Sequence, residues 1–183
     1  MFQQAIFSIG LTSMVIDGLD NEKLSEYARE KTGQYPADPS LNILEKLNNI
    51  VLGECQKILQ GMIGNPQVTD VVVGVKRLWI NNGLNNSITL PHTHRDSFLS
   101  AVYYPKAEDG LIHFLSPFTD TLLSHVPIGM TKQFNEYNSG FYSCEAKTGY
   151  LYIFPSMLTH YVPPTPGERI SIVYDIGVKN GSI

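Results

Sequence analysis

Hydrophobic spacing divides the chain into a helical front part and a β-rich remainder. Residues 4–16 are apolar and β-branched and predict a first strand, which Asp17-Gly18-Leu19-Asp20 breaks. Asp20 stands where a helix N-cap belongs, and the helix it opens is expected to run to about Lys31-Thr32-Gly33. Pro36 and Pro39 mark the stretch 34–40 as a loop. After Ser40, the residues Leu41, Leu44, Leu47, Ile50 and Val51 recur at helical spacing, and Gly61 to Gly64 ends this second helix. From residue 68 the period changes to two. Residues 69–75 and 76–81 read as strand, and Asn82-Gly83 with Asn85-Asn86 read as turn. Further short strands are expected near 87–95, 98–105, 110–116, 137–144, 149–155, 159–163 and 168–178. Many short strands after two helices predict a mainly β, α+β chain: a β-sandwich or barrel with two N-terminal helices packed outside. No internal repeat or linker divides it. The expectation is one domain over 1–183, with 1–66 as strand and helical support and 67–180 as the β core.

Composition narrows the function classes. Hydrophobic residues make up 43% and charged residues 16%, enough apolar material for a sizeable core. A formal net charge of -4 leaves no basic footprint for nucleic acid. Cys55 and Cys144 form no metal-finger spacing and read as buried reduced thiols. No apolar run has the roughly 20 residues a membrane span needs. No positive side chain precedes Lys23, so a signal peptide is not expected either, and the location expected is cytoplasmic.

The chemistry concentrates in a few polar residues on predicted strands. His92, His94 and Asp96 alternate with Thr93 and Arg95, and on an extended strand residues two apart share a face. His94 and Asp96 could therefore bind one ion, with His160 from a later strand as third ligand. Two histidines and one carboxylate on one face leave the opposite positions open, as non-haem Fe(II) oxygenases require. His92 shares the face of His94 and could replace it or line the substrate entrance. His113, in the apolar run Leu111–Leu115, reads as a core or pocket-wall residue, and His125 has no partner in sight.

Pro163 to Glu168 is expected to force a turn, followed by a strand from Arg169. On it Arg169, Ser171 and Val173 share one face, and Ile170, Ile172 and Tyr174 the other. An arginine inside a β core is costly unless it meets an anion. A dicarboxylate would satisfy it through two parallel charge-assisted bonds that match its planar fork. Ser100, Val102 and Tyr104 share a face of the strand after the histidines. Tyr104 can donate its hydroxyl to the carboxylate that Arg169 holds.

HTHRDSFLSAVYYP (92–105), DGLIHFLSP (109–117), GYLYIFPSMLTHYVPP (149–164) and ERISIVYDI (168–176) together resemble the 2-oxoglutarate/Fe(II)-dependent dioxygenases. The likeness is strongest to short prolyl-hydroxylase-like bacterial and phage members. It covers about residues 70–178, and 4–32 also resembles their lead-in. The resemblance implies a double-stranded β-helix (jelly-roll) with flanking helices. It implies iron ligands at His94, Asp96 and His160, and 2-oxoglutarate contacts at Arg169, Tyr104 and Ser171. The reaction implied uses Fe(II), 2-oxoglutarate and O2 to hydroxylate a C–H bond, releasing succinate and CO2. The substrate is left open between a prolyl or other protein side chain and a metabolite. Residues 82–86 and 118–138 are expected to be the mobile lids. Edge strands of a jelly roll leave room for a homodimer. A cupin-type metalloenzyme would need Glu three or four residues after His92-Thr93-His94, where Phe98 and Leu99 stand. A non-catalytic jelly-roll binding module would not explain the metal-type residues.

Overall fold

The computed structural model describes residues 9–31, 42–65, 67–118 and 139–180. Strand β1 (Thr12–Val15) leads into helices α1 (Asn21–Lys31) and α2 (Asn42–Ile63). Eight strands follow: β2 (Val71–Gly83), β3 (Ser87–His92), β4 (Leu99–Ala107), β5 (Leu111–Leu115), β6 (Phe141–Glu145), β7 (Tyr150–Pro155), β8 (His160–Thr165) and β9 (Arg169–Asn180). They form a five-stranded sheet in the order β1-β7-β4-β9-β2 and a four-stranded sheet in the order β3-β8-β5-β6. Every described pairing is antiparallel, and from β2 to β9 the chain crosses between the sheets at every step except β5 to β6, as in a jelly roll.

The helices begin and bury as their sequences dictate. Asp20 Oδ1 accepts the Lys23 amide at 3.1 Å, satisfying one of the N–H groups that a helix start leaves unpaired. Leu24 and Ala28 of α1 face inward, as do Leu44, Leu47, Val51, Cys55 and Leu59 of α2. All of these except Leu59 pack on the outer face of the five-stranded sheet, against Leu78, Ile80, Ala101, Tyr103, Ile172 and Tyr174. Each fully buried leucine there contributes about 1.5–3 kcal/mol of transfer free energy. Polar tips are matched too: the Tyr174 hydroxyl donates to Asn48 Oδ1 at 2.8 Å. Gln56 covers the open edge of β2, donating to the Val71 carbonyl (3.1 Å) and accepting the Val73 amide (2.9 Å).

The opposite face of that sheet meets the smaller sheet in a second core of Val102, Tyr104, Ile112, Phe114, Tyr152, Phe154, Leu158, Val162 and Val173. The five-stranded sheet is thus buried on both faces, one against helices and one against β. This explains why β4 and β9 read as nearly continuous apolar runs.

Four boundaries differ from the periodicity. The first strand is confined to Thr12–Val15, where its ladder with β7 exists; residues 4–8 lie outside the described residues. The two stretches expected at 69–81 are one strand, β2, which bends at Lys76 because Val75 and Arg77 pair with adjacent residues, Ile176 and Asp175. The strand expected to reach residue 95 stops at His92. Strand β8 continues through Pro163 and Pro164, and the turn waits until Pro166–Glu168. On its β5 side the ladder of β8 involves only His160 and Tyr161, so the prolines remove no bond there.

Candidate metal and cosubstrate site

The site is built on the inward face of the five-stranded sheet. β2 and β9 pair in register as Arg77–Asp175, Trp79–Val173, Asn81–Ser171 and Gly83–Arg169. β4 adds Ser100 opposite Asp175 and Val102 opposite Val173. The alternation expected along 169–173 holds, and it carries on to Asp175. Ile170, Ile172 and Tyr174 belong to the helix-side core, while Val173 belongs to the core between the sheets.

His92 and His160 come from the facing sheet, where they are paired opposite one another. Thr89 pairs with Val162, so three steps on β3 match two on β8. The extra residue is a bulge at Leu90-Pro91, which reverses the alternation. Ile88 and Leu90 are exposed on the outer face, and continued alternation would have sent His92 out with them. The bulge turns it inward instead.

His92, His94 and His160 each offer a ligand nitrogen, and these atoms lie within 4.8 Å of one another. The hydrogen bonds fix how each ring is presented. His92 Nδ1 donates to the Leu90 carbonyl (2.8 Å) and His160 Nδ1 to the Leu158 carbonyl (2.9 Å). His94 Nδ1 donates to Asp175 Oδ1 (2.5 Å). Carbonyls and carboxylates only accept, so Nδ1 carries a proton in all three rings, and in each neutral ring Nε2 carries a lone pair. Burial pushes the His160 ring down to about 4, which keeps it in the neutral form that binds metals. His94 and His160 are buried, and His92 is half-buried. The donor set fits a divalent first-row transition metal: imidazoles with free Nε2 atoms, one of them oriented by a carboxylate.

Asp175 anchors this set. Its Oδ2 accepts from Arg77 Nε at 2.7 Å, and Ser100 Oγ donates to its Oδ1 at 3.1 Å. Burial raises its carboxyl, but the His94 hydrogen bond and the charge and hydrogen bond of Arg77 outweigh that and hold it below the usual carboxylate value. Trp79 lies beside the His94 ring, with centroids 5.1 Å apart. An open pocket of about 430 Å³ reaches these residues from solvent, lined by Arg77, Trp79, His92, Thr93, His94, Arg95, Asp96 and Asp175.

The structure brings His94 and His160 together but leaves Asp96 out of the imidazole cluster, as an exposed residue lining the same pocket. The chain turns at Arg95-Asp96, and Asp96 adopts a left-handed φ of 64°, which ends the expected alternation. Its side chain is 68% exposed, with Oδ2 lying 3.6 Å from Lys76 Nζ.

Arg169 is where the anion argument put it. The residue is 5% exposed, and its Nε and Nη1 are buried without a hydrogen-bond partner among the described residues. Burial lowers its basicity and the nearby Tyr104 opposes that, yet a guanidinium stays charged. Tyr104 is fully buried; desolvation pushes its phenol up to about 12, against the pull of Arg169, so it remains a proton donor. Ser171 is buried too, and Asn81 Nδ2 reaches its hydroxyl at 3.4 Å. The three residues expected to hold a dicarboxylate thus share the inward face. His113 instead lies on the outer side, with Nδ1 bonded to Ser143 Oγ (2.6 Å) and its ring near Tyr161. His125 and residues 119–138 of the second expected lid lie outside the described residues.

No motif in the sequence points to Asp175 or Arg77, and the sequence leaves the role of His92 open. Simple alternation from Arg169 reaches Asp175, and the β2–β9 register then reaches Arg77. The inward turn of His92 depends on a bulge, which only the appearance of Pro91 in a strand could have hinted at.

A jelly roll with clustered imidazoles and an inward unpaired arginine defines a metal-dependent enzyme class that takes an acidic cosubstrate. A family model described as "Putative 2OG-Fe(II) oxygenase" matches residues 77–175, more than half of the chain. The chain belongs to that family of 2-oxoglutarate- and Fe(II)-dependent oxygenases. Solved structures agree in fold. A prolyl-4-hydroxylase from Pseudomonas putida has TM-score 0.59 and 16% identity, covering 93% of this chain and 86% of that one. HygX from Streptomyces hygroscopicus, solved with nickel, 2-oxoglutarate and hygromycin B, has TM-score 0.61 and 12% identity over 92% and 83% of the two chains. The epimerase SnoN from nogalamycin biosynthesis has TM-score 0.59 and 12% identity over 92% and 77%. A comparison with curated proteins finds no match. Among the described residues no helix is long and apolar enough to cross a membrane.

Proposed function

We propose that the protein is an oxygenase that couples oxidative decarboxylation of 2-oxoglutarate to hydroxylation of a substrate C–H bond. The overall balance is 2-oxoglutarate, O2 and R–H giving succinate, CO2 and R–OH. The observation that carries this reading is Arg169: a buried guanidinium with two unpaired donor atoms on the inward face that also bears Asp175, the partner of His94. Bound Fe(II) would chelate 2-oxoglutarate and activate O2. His94 and His160 would hold it through Nε2. Arg169 would grip the remote carboxylate, Tyr104 would donate its hydroxyl to the same group, and Ser171 would line that end. Val102, Phe154 and Val173 keep water from the space between. Asp96, the third ligand that the family resemblance implies, would have to swing back from the surface to reach the metal.

The substrate enters from the pocket beside Trp79 and Arg77 and is a peptide side chain or a metabolite. Two buried unpaired thiols, Cys55 and Cys144, suit a reducing cytoplasm. A homodimer would form on the open edges β3 and β6. The test is release of 14CO2 from [1-14C]-2-oxoglutarate with Fe(II), ascorbate and a peptide and metabolite panel. Substrate-stimulated release that disappears in Arg169→Met supports the reading. Absence of any 2-oxoglutarate-dependent succinate or CO2 refutes it.

A further inference from the structure

We infer that His92, not Asp96, is the third metal ligand, so that the ion is held by three neutral imidazoles with the carboxylate moved one layer out to Asp175. This names the ligand set of the site proposed above and rests on that site being a metal centre.

Four observations bear on it. The Nδ1 of His92 is committed to the Leu90 carbonyl, so its Nε2 lone pair points at the cluster. That atom lies 3.0 Å from His94 Nε2, whose own proton is likewise on Nδ1. Two lone pairs facing at this distance repel, so either a proton or a metal ion lies between them. Two metal–imidazole bonds of about 2.1 Å at a right angle would place their nitrogens about 3.0 Å apart, whereas a tetrahedral angle would need about 3.4 Å. The spacing therefore matches adjacent corners of an octahedron, the arrangement that leaves further positions for a chelating cosubstrate and O2.

The backbone adds the second line. β3 spends a bulge at Leu90-Pro91 to bring His92 to the inward face opposite His160. The third is Asp96, turned out by its left-handed backbone, with its carboxylate beside Lys76. The fourth is Asp175, which is buried and bonds to His94 Nδ1. It puts a negative charge next to the centre without occupying a coordination position. Three neutral donors leave the full double charge of the ion to be balanced by dianionic 2-oxoglutarate.

The experiment uses the metal alone. Anaerobic Fe(II) and Co(II) titrations of the full chain, without 2-oxoglutarate, compare wild type, His92→Ala and Asp96→Ala. His92→Ala is expected to weaken binding by more than about 100-fold, beyond the roughly 10–100-fold that loss of an outer partner costs. Asp96→Ala is expected to stay within about twofold of wild type. Proton NMR of the Co(II)-loaded wild type should show three exchangeable, hyperfine-shifted imidazole N–H signals, a readout that does not depend on any variant folding. Two such signals, a loss above about tenfold in Asp96→Ala, or His92→Ala binding within about tenfold of wild type would each overturn the inference. So would a wild type that binds neither metal, because a proton shared between His92 and His94 would then explain their approach. Adding 2-oxoglutarate afterwards tests the oxygenase reading separately: three histidine signals without cosubstrate binding would sink that reading and leave the ligand set standing.

Discussion

Replacing Arg169 by methionine separates a binding role from a structural one. The guanidinium is 5% exposed and leaves Nε and Nη1 unpaired, so in the cosubstrate-free protein it carries a desolvation cost that no contact in the described structure repays. Methionine keeps most of the stem and removes the charge. The cosubstrate-free variant is therefore expected to melt at or above the wild-type temperature, unlike most core substitutions. With 2-oxoglutarate the order reverses. A ligand at about 100 times its Kd stabilises the native state by about 2.7 kcal/mol. At about 2–4 °C per kcal/mol for a chain of this size, that raises the wild-type Tm by roughly 5–11 °C. The variant loses a buried charge-assisted pair worth about 2–5 kcal/mol, a loss in affinity of roughly 30- to 4000-fold, and its shift at the same concentration should fall to between about a third of the wild-type value and almost nothing. The assay is differential scanning fluorimetry with Mn(II), with and without 2-oxoglutarate. The reasoning fails if Arg169→Met melts more than about 4 °C below wild type without cosubstrate and still shows the full shift with it.

Three further outcomes follow from particular contacts. Asp175→Asn removes the carboxylate that fixes the His94 tautomer, and equilibrium dialysis should show metal affinity down about 10- to 100-fold. Glu168 accepts bidentately from Arg29 and lies near Lys106; the Arg29 hydrogen bond holds its carboxyl down to about 2, below an ordinary value of 4.5. Its folded pKa is depressed, so its contribution is fully present above pH 4.5 and is lost as pH falls toward 2. Urea unfolding of Glu168→Gln should therefore show a weaker loss of stability across that window than wild type. Gly110 has φ of 139°, and a Cβ there would lie 2.8 Å from Thr165 Cγ2. Gly110→Ala should cost about 1–3 kcal/mol in chemical denaturation, while leaving metal binding intact.

Much of this fold was legible because each element matches a simple period. Asp20 caps where it should, the leucines of α2 bury as their spacing requires, and Arg169, Ser171 and Val173 share the inward face. The imidazole cluster of the candidate site was legible in part. His94 and His160 could be picked out by residue type and order, but Asp96 was assigned by extending a two-residue period across a stretch where the strand has already ended. The inward turn of His92 depends on how β3 registers against β8, and the pairing of Arg77 with Asp175 depends on how β2 registers against β9. Register is a tertiary property that alternation within one strand does not carry. Pro163 and Pro164 show the same limit: their effect depends on whether a neighbouring strand needs their missing N–H groups, and on the β5 side it does not.

The most direct measurement is an anaerobic titration of the protein with Fe(II) and 2-oxoglutarate, followed at the visible charge-transfer absorption of the chelate. The expected result is a weak band that saturates at one equivalent, requires both components, and in Arg169→Met needs far more 2-oxoglutarate. Absence of the band in wild type, or its appearance in Arg169→Met at the same 2-oxoglutarate concentration, would contradict a centre in which clustered imidazoles hold the metal and Arg169 anchors the cosubstrate.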